Sequence, residues 1–213
     1  MLSQSEAREL YTQGDAAHDF DHVLRVARLA EAIALAEGAD VSIVRTAAYL
    51  HDVPVQHQNG RMVRSAHHLA AADFARELLT ARGVGNKTVD AVVHSIEAHR
   101  FRDQSITPRT LEAQCLYDAD KLDSMGAIGI ARAFAFAGAH DSRLWTESWS
   151  DAPADDAQPA GAEYTPVHEY VYKLSRLQAT LYTATARRMG EARHAFMRTF
   201  FDRLDNEMMG ADS

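Results

Sequence analysis

Proline occurs at only five positions of this 213-residue chain, namely 54, 108, 153, 159 and 166. A proline removes a backbone donor and clashes with the preceding turn, so it breaks helix interiors. The stretches 55–107 and 167–213 contain none and are free to hold long helices. No segment alternates apolar and polar residues as a half-buried strand does, and no repeat of fixed period appears. The chain therefore reads as all-α. Helices are predicted over 4–13, 19–37, 40–53, 66–82, 87–101, 109–123, 125–138, 167–189 and 191–208. Gly38, Gly83 and Gly85 supply helix ends, and Asn86 with Thr88 supplies a start. A hydrophobic content of 46% over this length is enough for one substantial core, so a single domain is expected.

One segment breaks the helical texture. From His140 to Pro166 the chain carries three prolines, both tryptophans (Trp145, Trp149) and an acidic run from Asp151 to Asp156. A loop this long in a compact domain is usually functional or disordered. Three readings are open: a lid over a site, a surface excursion pinned by the two tryptophans, or a contact between copies in a homodimer.

Charge and cysteine usage narrow the function classes. The net charge is −8 and argues against a broad nucleic-acid or anionic-membrane footprint. An anionic substrate would have to be held by local positive charge, which favours a small phosphate ester over a polymer. The single cysteine, Cys115, excludes an intramolecular disulfide and a thiolate cluster, and reads as core packing. No basic segment followed by an apolar stretch opens the chain, and no run approaches the roughly 18 apolar residues of a membrane span. A cytoplasmic protein is expected.

The chemistry gathers on His22, His51, Asp52 and Asp120. With 11 His and 18 Asp, about one His-Asp dipeptide is expected by chance, so the dipeptide alone carries little. The helical setting carries more. His22 shares a stripe with Val26, Leu29 and Ile33; His51 ends the inward run Val44, Ala47, Ala48; Asp120 follows Ala113 and Leu116. Neighbours on a helix diverge by about 100°, so His51 and Asp52 could not share one target in mid-helix. Pro54 disfavours helix at Val53 and frees Asp52 to turn. An inward carboxylate is costly unless paired or metal-bound. Each residue also has a plainer reading: a core histidine at His22, and a solvated acidic face at Asp118, Asp120 and Asp123. Two imidazoles and two carboxylates converging together suit a divalent cation.

At these positions the chain resembles the HD superfamily of metal-dependent phosphohydrolases, whose signature is a His, then His-Asp, then a distant Asp. The likeness extends to a branch of small bacterial HD hydrolases through residues 17–26, 48–52 and 94–99. Its longest part is Asp118-Ala119-Asp120-Lys121-Leu122-Asp123, continued through Gly126–Arg132. It covers about residues 15–139 and resumes at Lys173-Leu174. The resemblance implies an HD-type helical bundle with His22, His51, Asp52 and Asp120 as metal ligands. Asp120 rather than Asp118 takes that role because the family's Asp directly precedes a Lys or Arg, here Lys121.

The resemblance further implies metal-dependent hydrolysis of a phosphate ester or anhydride, with a nucleotide as substrate. Mixed His and carboxylate donors suit Mn first, with Fe, Ni, Co and Zn open and Mg less favoured. Asp52 is the candidate for a double role as ligand and as acceptor for the attacking water. Lys121 is a candidate phosphate contact. His94 and His99 are candidates to donate to the phosphate or protonate the leaving oxygen. Arg132 and Lys173 are candidates for substrate binding, Arg132 also as a partner of the acidic cluster. Where the branch has a His four residues before the Lys, this chain has Glu169, with His168 one place early. His67 and His68, with His94, raise a second metal; one metal is the expectation. Alternatives are a cyclic-nucleotide phosphodiesterase and a non-catalytic HD module that binds a nucleotide or partner.

Overall fold

The computed structural model describes residues 2–11, 20–53, 67–101 and 105–211. Among these the regular structure is helical, with no strand. The described residues form two compact units. The first comprises those within 1–121 together with 182–186, and the second those within 122–181 together with 187–213.

In the first unit lie α1 (Gln4–Glu9), α2 (Phe20–Glu37), α3 (Val41–Leu50), α4 (His67–Ala81), α5 (Asn86–Glu97) and most of α6 (Leu111–Asp123). Helix α2 packs on α3, α3 on α5, and α4 on α5. Their shared faces are filled by residues with no exposure, among them Val26, Ile33, Leu50, Leu79 and Ile96. The ends obey local chemistry. Ser3 and Glu6 form a capping box at α1, and Asp40 caps α3 by accepting from the amides of Ser42 and Ile43. Gly38 and Gly83 follow α2 and α4 with φ of +80° and +72°, a conformation a side chain would strain. Cys115 is buried, and burial pushes its thiol up to about 12, so it is an inert packing group.

The second unit contains α7 (Gly126–Ala139), α8 (Pro166–Tyr172), a 3-10 segment at Leu174–Thr180 and most of α9 (Ala184–Met209). Here the structure departs from the sequence reading. The periodicity predicts one helix over 167–189 and a break at Gly190. Instead the chain leaves helix at Lys173 and again at Leu181–Thr183, then runs unbroken through Gly190 to Met209. Gly190 is interior because a Cβ there would meet Leu181 Cδ1 at 2.5 Å. The glycine marks a close approach, not a helix end.

The segment 140–166 is short 3-10 turns and irregular chain pinned at many points. Trp145 Nε1 donates to Asp205 Oδ1 at 2.8 Å. Ser148 Oγ and the Trp149 amide donate to Asp205 Oδ2 at 2.5 and 3.0 Å. Trp149 Nε1 reaches Asp202, and Tyr172 O–H reaches the Pro153 carbonyl. Of the three sequence readings, a surface excursion held by its tryptophans matches these contacts.

Candidate metal centre

Three elements of the first unit carry the cluster. His22 lies in the first turn of α2, His51 is the C-cap of α3 with Asp52 in the turn beyond it, and Asp120 lies near the end of α6. Helix α3 stops at Leu50, and the Val53 amide closes back on the Leu50 carbonyl at 3.4 Å. Pro54, offered by the sequence as the reason, lies outside the described residues. The turn brings two adjacent side chains onto one target.

The distances are those of ligands rather than of hydrogen-bond partners. His51 Nε2 and His22 Nε2 stand 3.5 and 3.7 Å from Asp52 Oδ2, and His22 Nε2 stands 3.5 Å from Asp120 Oδ1. Donor atoms each about 2.1 Å from one ion stand roughly 3 to 3.5 Å apart. The tautomer agrees. His51 Nδ1 donates to the Ala48 carbonyl at 2.8 Å, which leaves Nε2 as the lone-pair nitrogen in the neutral ring. That Nε2 is fully buried and makes no hydrogen bond, and neither does Asp52 Oδ1. A buried acceptor without a donor is costly. His51 Nε2 faces the Asp52 carboxylate at Oδ2, and a cation between them would satisfy both.

A second donor group shares Asp52. His67 Nε2 and His99 Nε2 lie 3.4 and 3.6 Å from Asp52 Oδ1, and His99 Nδ1 is tied to the Ile96 carbonyl at 2.6 Å. Both His22–His51–Asp52 and Asp52–His67–His99 have the spacing to hold an ion. The sequence paired the 67–68 histidines with His94, but His94 Nε2 accepts from the Arg109 amide at 3.1 Å and His99 takes its place. His94 lies within α5, whereas His99 follows the helix end, in a turn where its amide and Nδ1 both bond the Ile96 carbonyl. Only tertiary packing decides that.

The charges are tuned accordingly. Burial raises the Asp52 carboxyl, but His51, His67 and His99 around it more than offset this and hold it well below the usual range. At Asp120 burial again raises, and Lys121 with the three histidines brings the net shift down. Burial lowers His99 despite Asp52, and burial with Arg109 lowers His94. Both rings are thereby biased to the neutral form, and of the two only His99 has its Nε2 at the cluster.

The remaining predicted residues have definite partners. Lys121 is nearly buried, donates to Asp120 Oδ2 at 2.5 Å and lies 5.1 Å from the Tyr117 ring centre. Arg132 Nη1 donates to Asp123 Oδ2 at 2.9 Å, and Lys173 Nζ to Glu169 Oε1 at 2.7 Å. Asp118 and Asp123 are buried, so the acidic run is not a solvated face. Asp118 accepts from the amides of Tyr182 and Thr183 at 2.8 and 2.7 Å.

The sequence profile of the HD domain matches residues 19–125, half of the chain. The chain belongs to the HD domain family. This HD protein is 35% identical over 209 residues to YpgQ of Bacillus subtilis (strain 168), covering 97% of this chain and 92% of that protein. Its fold is similar to the crystal structure of Bacillus subtilis YpgQ in complex with ADP. That match has TM-score 0.72 and 30% identity, covering 99% of this chain and 95% of the other. It is also similar to an HD-superfamily hydrolase from Bacillus thuringiensis, with TM-score 0.70 and 25% identity, covering 96% and 94%. HD-type hydrolase neighbours and a donor cluster of this kind support a metal-dependent hydrolase. None of the described helices of this HD protein is long and apolar enough to cross a membrane.

Proposed function

We propose that this protein hydrolyses a phosphate ester or anhydride of a small molecule, a nucleotide, with a divalent ion held by His22, His51, Asp52 and Asp120. The observation that carries the reading is the buried His51 Nε2, left without a hydrogen bond beside the Asp52 carboxylate. An ion in that seat supplies charge that acidifies water and polarises a phosphoryl group. Asp52, an ionised carboxylate, accepts the proton of the attacking water. A P–O bond forms to that water oxygen as the bond to the leaving group breaks. His99, biased to the neutral form by burial and tied through Nδ1 to the Ile96 carbonyl, turns its Nε2 lone pair toward Asp52 Oδ1 as a further donor to a cation. Lys121 neutralises Asp120 and keeps the cluster's net charge low enough to admit an anion. His94, Arg132 and Lys173 remain candidates for contacts with the leaving group and the rest of the substrate.

The nucleotide class is supported by the relative solved with ADP and by the acidic surface, which leaves a small anion as the natural substrate. Mn is the working metal, since imidazole and carboxylate donors are mixed. The test is phosphate and pyrophosphate release from nucleotides and simple phosphoesters, with Mn, Mg, Co and Ni added in turn. Parent protein and Asp52→Ala are assayed side by side with metal content. Turnover and metal in the parent, with neither in the variant, is the expected result. Metal without turnover on any phosphate compound favours a binding module, and turnover confined to cyclic substrates favours a phosphodiesterase.

A further inference from the structure

Tyr11 lies beyond the end of α1, and its ring is buried. Its hydroxyl donates to the Tyr49 carbonyl at 3.0 Å, across 38 residues of sequence. Its ring meets Phe20, with centroids 5.5 Å apart and planes tilted by 51°. Both contacts fall two residues short of a proposed ligand. Tyr49 precedes His51 by two, and Phe20, the first residue of α2, precedes His22 by two.

The carbonyls at the end of a helix have no partner within it. At α3 each of the last three has found one. The Ala48 carbonyl takes His51 Nδ1, the Tyr49 carbonyl takes the Tyr11 hydroxyl, and the Leu50 carbonyl takes the Val53 amide. The first aims His51 and the third turns the chain at Asp52. The middle one is the only bond of the three that comes from elsewhere in the chain. Helix α1 has its own separate ties: Ser3 and Glu6 cap it, and Arg82, just past α4, donates to Glu6 at 2.8 Å on the exposed surface.

We infer that Tyr11 is a positioning residue that sets the spacing between His22 and the His51-Asp52 pair, an inference that rests on the reading of these three as metal ligands. Groups that orient ligands change metal affinity by about 10- to 100-fold when lost. A tyrosine that merely filled space would act on stability alone.

Tyr11→Phe keeps the ring and removes the donor. Mn²⁺ affinity is measured by titration of the full chain, together with its melting temperature, for the parent, Tyr11→Phe, Glu6→Gln and Asp52→Ala. Glu6→Gln loosens α1 from Arg82 and leaves the hydroxyl in place. The expected result is Mn²⁺ binding weakened about tenfold in Tyr11→Phe and parental in Glu6→Gln. Parental affinity in Tyr11→Phe overturns the inference, however far the melting temperature falls. Equal weakening in both variants also overturns it, by assigning the effect to α1 as a whole. Asp52→Ala separates the two levels: if it binds Mn²⁺ as the parent does, the ligand reading itself has failed.

Discussion

Asp205 and Asp52 are both largely withdrawn from water, yet their surroundings are opposite in kind. Asp205, in the second unit, is filled with donors: an indole N–H on one oxygen, a hydroxyl and a backbone amide on the other. Asp52, in the first, is ringed by four imidazole nitrogens at 3.4 to 3.7 Å, and its Oδ1 makes no hydrogen bond. Two of the rings are oriented by carbonyls so that each turns an Nε2 lone pair toward one of its oxygens. A carboxylate satisfied by its own protein is a staple. One surrounded by lone pairs needs a cation, because burial of unsatisfied acceptors is unfavourable. The same contrast recurs within α6, where Asp118 binds two amides and Asp120, two residues on, faces His22 and Lys121.

Four measurements press on this contrast. Asp120→Ala should lower turnover by more than about 100-fold, since a ligand matters at least as much as the groups that orient ligands. Phosphate release at saturating Mn²⁺ measures it. If Asp118→Ala has the same effect with normal stability, the distinction within α6 fails.

Asp205→Ala should cost about 3 kcal/mol of stability, because three donors lose a charged acceptor. Its Mn²⁺ affinity should be unchanged. Denaturant unfolding of the parent and the variant reads the first effect, and titration the second.

Mn²⁺ at about 100 times its Kd should add roughly 2.7 kcal/mol to the stability of the parent. It should add markedly less to Asp120→Ala. Chelation should restore the melting temperature of the metal-free protein.

The smallest effect is in pH. The folded-state pKa of His99 lies below its ordinary 6.5, so on acidification the unfolded chain takes up the proton first. Its contribution is complete above about 6.5 and is lost as pH falls through the folded value. Metal-free protein should therefore weaken from about pH 6.5 downward, well before the carboxylates titrate. His99→Gln should flatten that slope in unfolding curves taken at about pH 5 and pH 8.

Some of this was legible beforehand because it is local. The apolar stripe through Val26 and Ile33 makes α2 amphipathic and points His22 inward, whatever α2 packs against. The run Val44, Ala47, Ala48 does the same for His51. Gly38 and Gly83 ended helices as expected. Gly190 did not, because its role is contact with Leu181, which lies nine residues away in a different element. The break at 181–183 escapes periodicity for a similar reason: Asp118, more than sixty residues earlier, accepts from the amides of Tyr182 and Thr183 there.

Sequence alone determined that the chain is helical, where most helices begin and end, and that His22 and His51 lie on apolar faces, since all three follow from the period of one helix and the chemistry of its ends. Tertiary structure alone decided that His99 rather than His94 joins His67 at Asp52, that Asp118 is a staple, and that Tyr11 stands between α2 and α3. Each of those depends on which atoms from distant parts of the chain come within about 3 to 4 Å, a distance that periodicity does not encode.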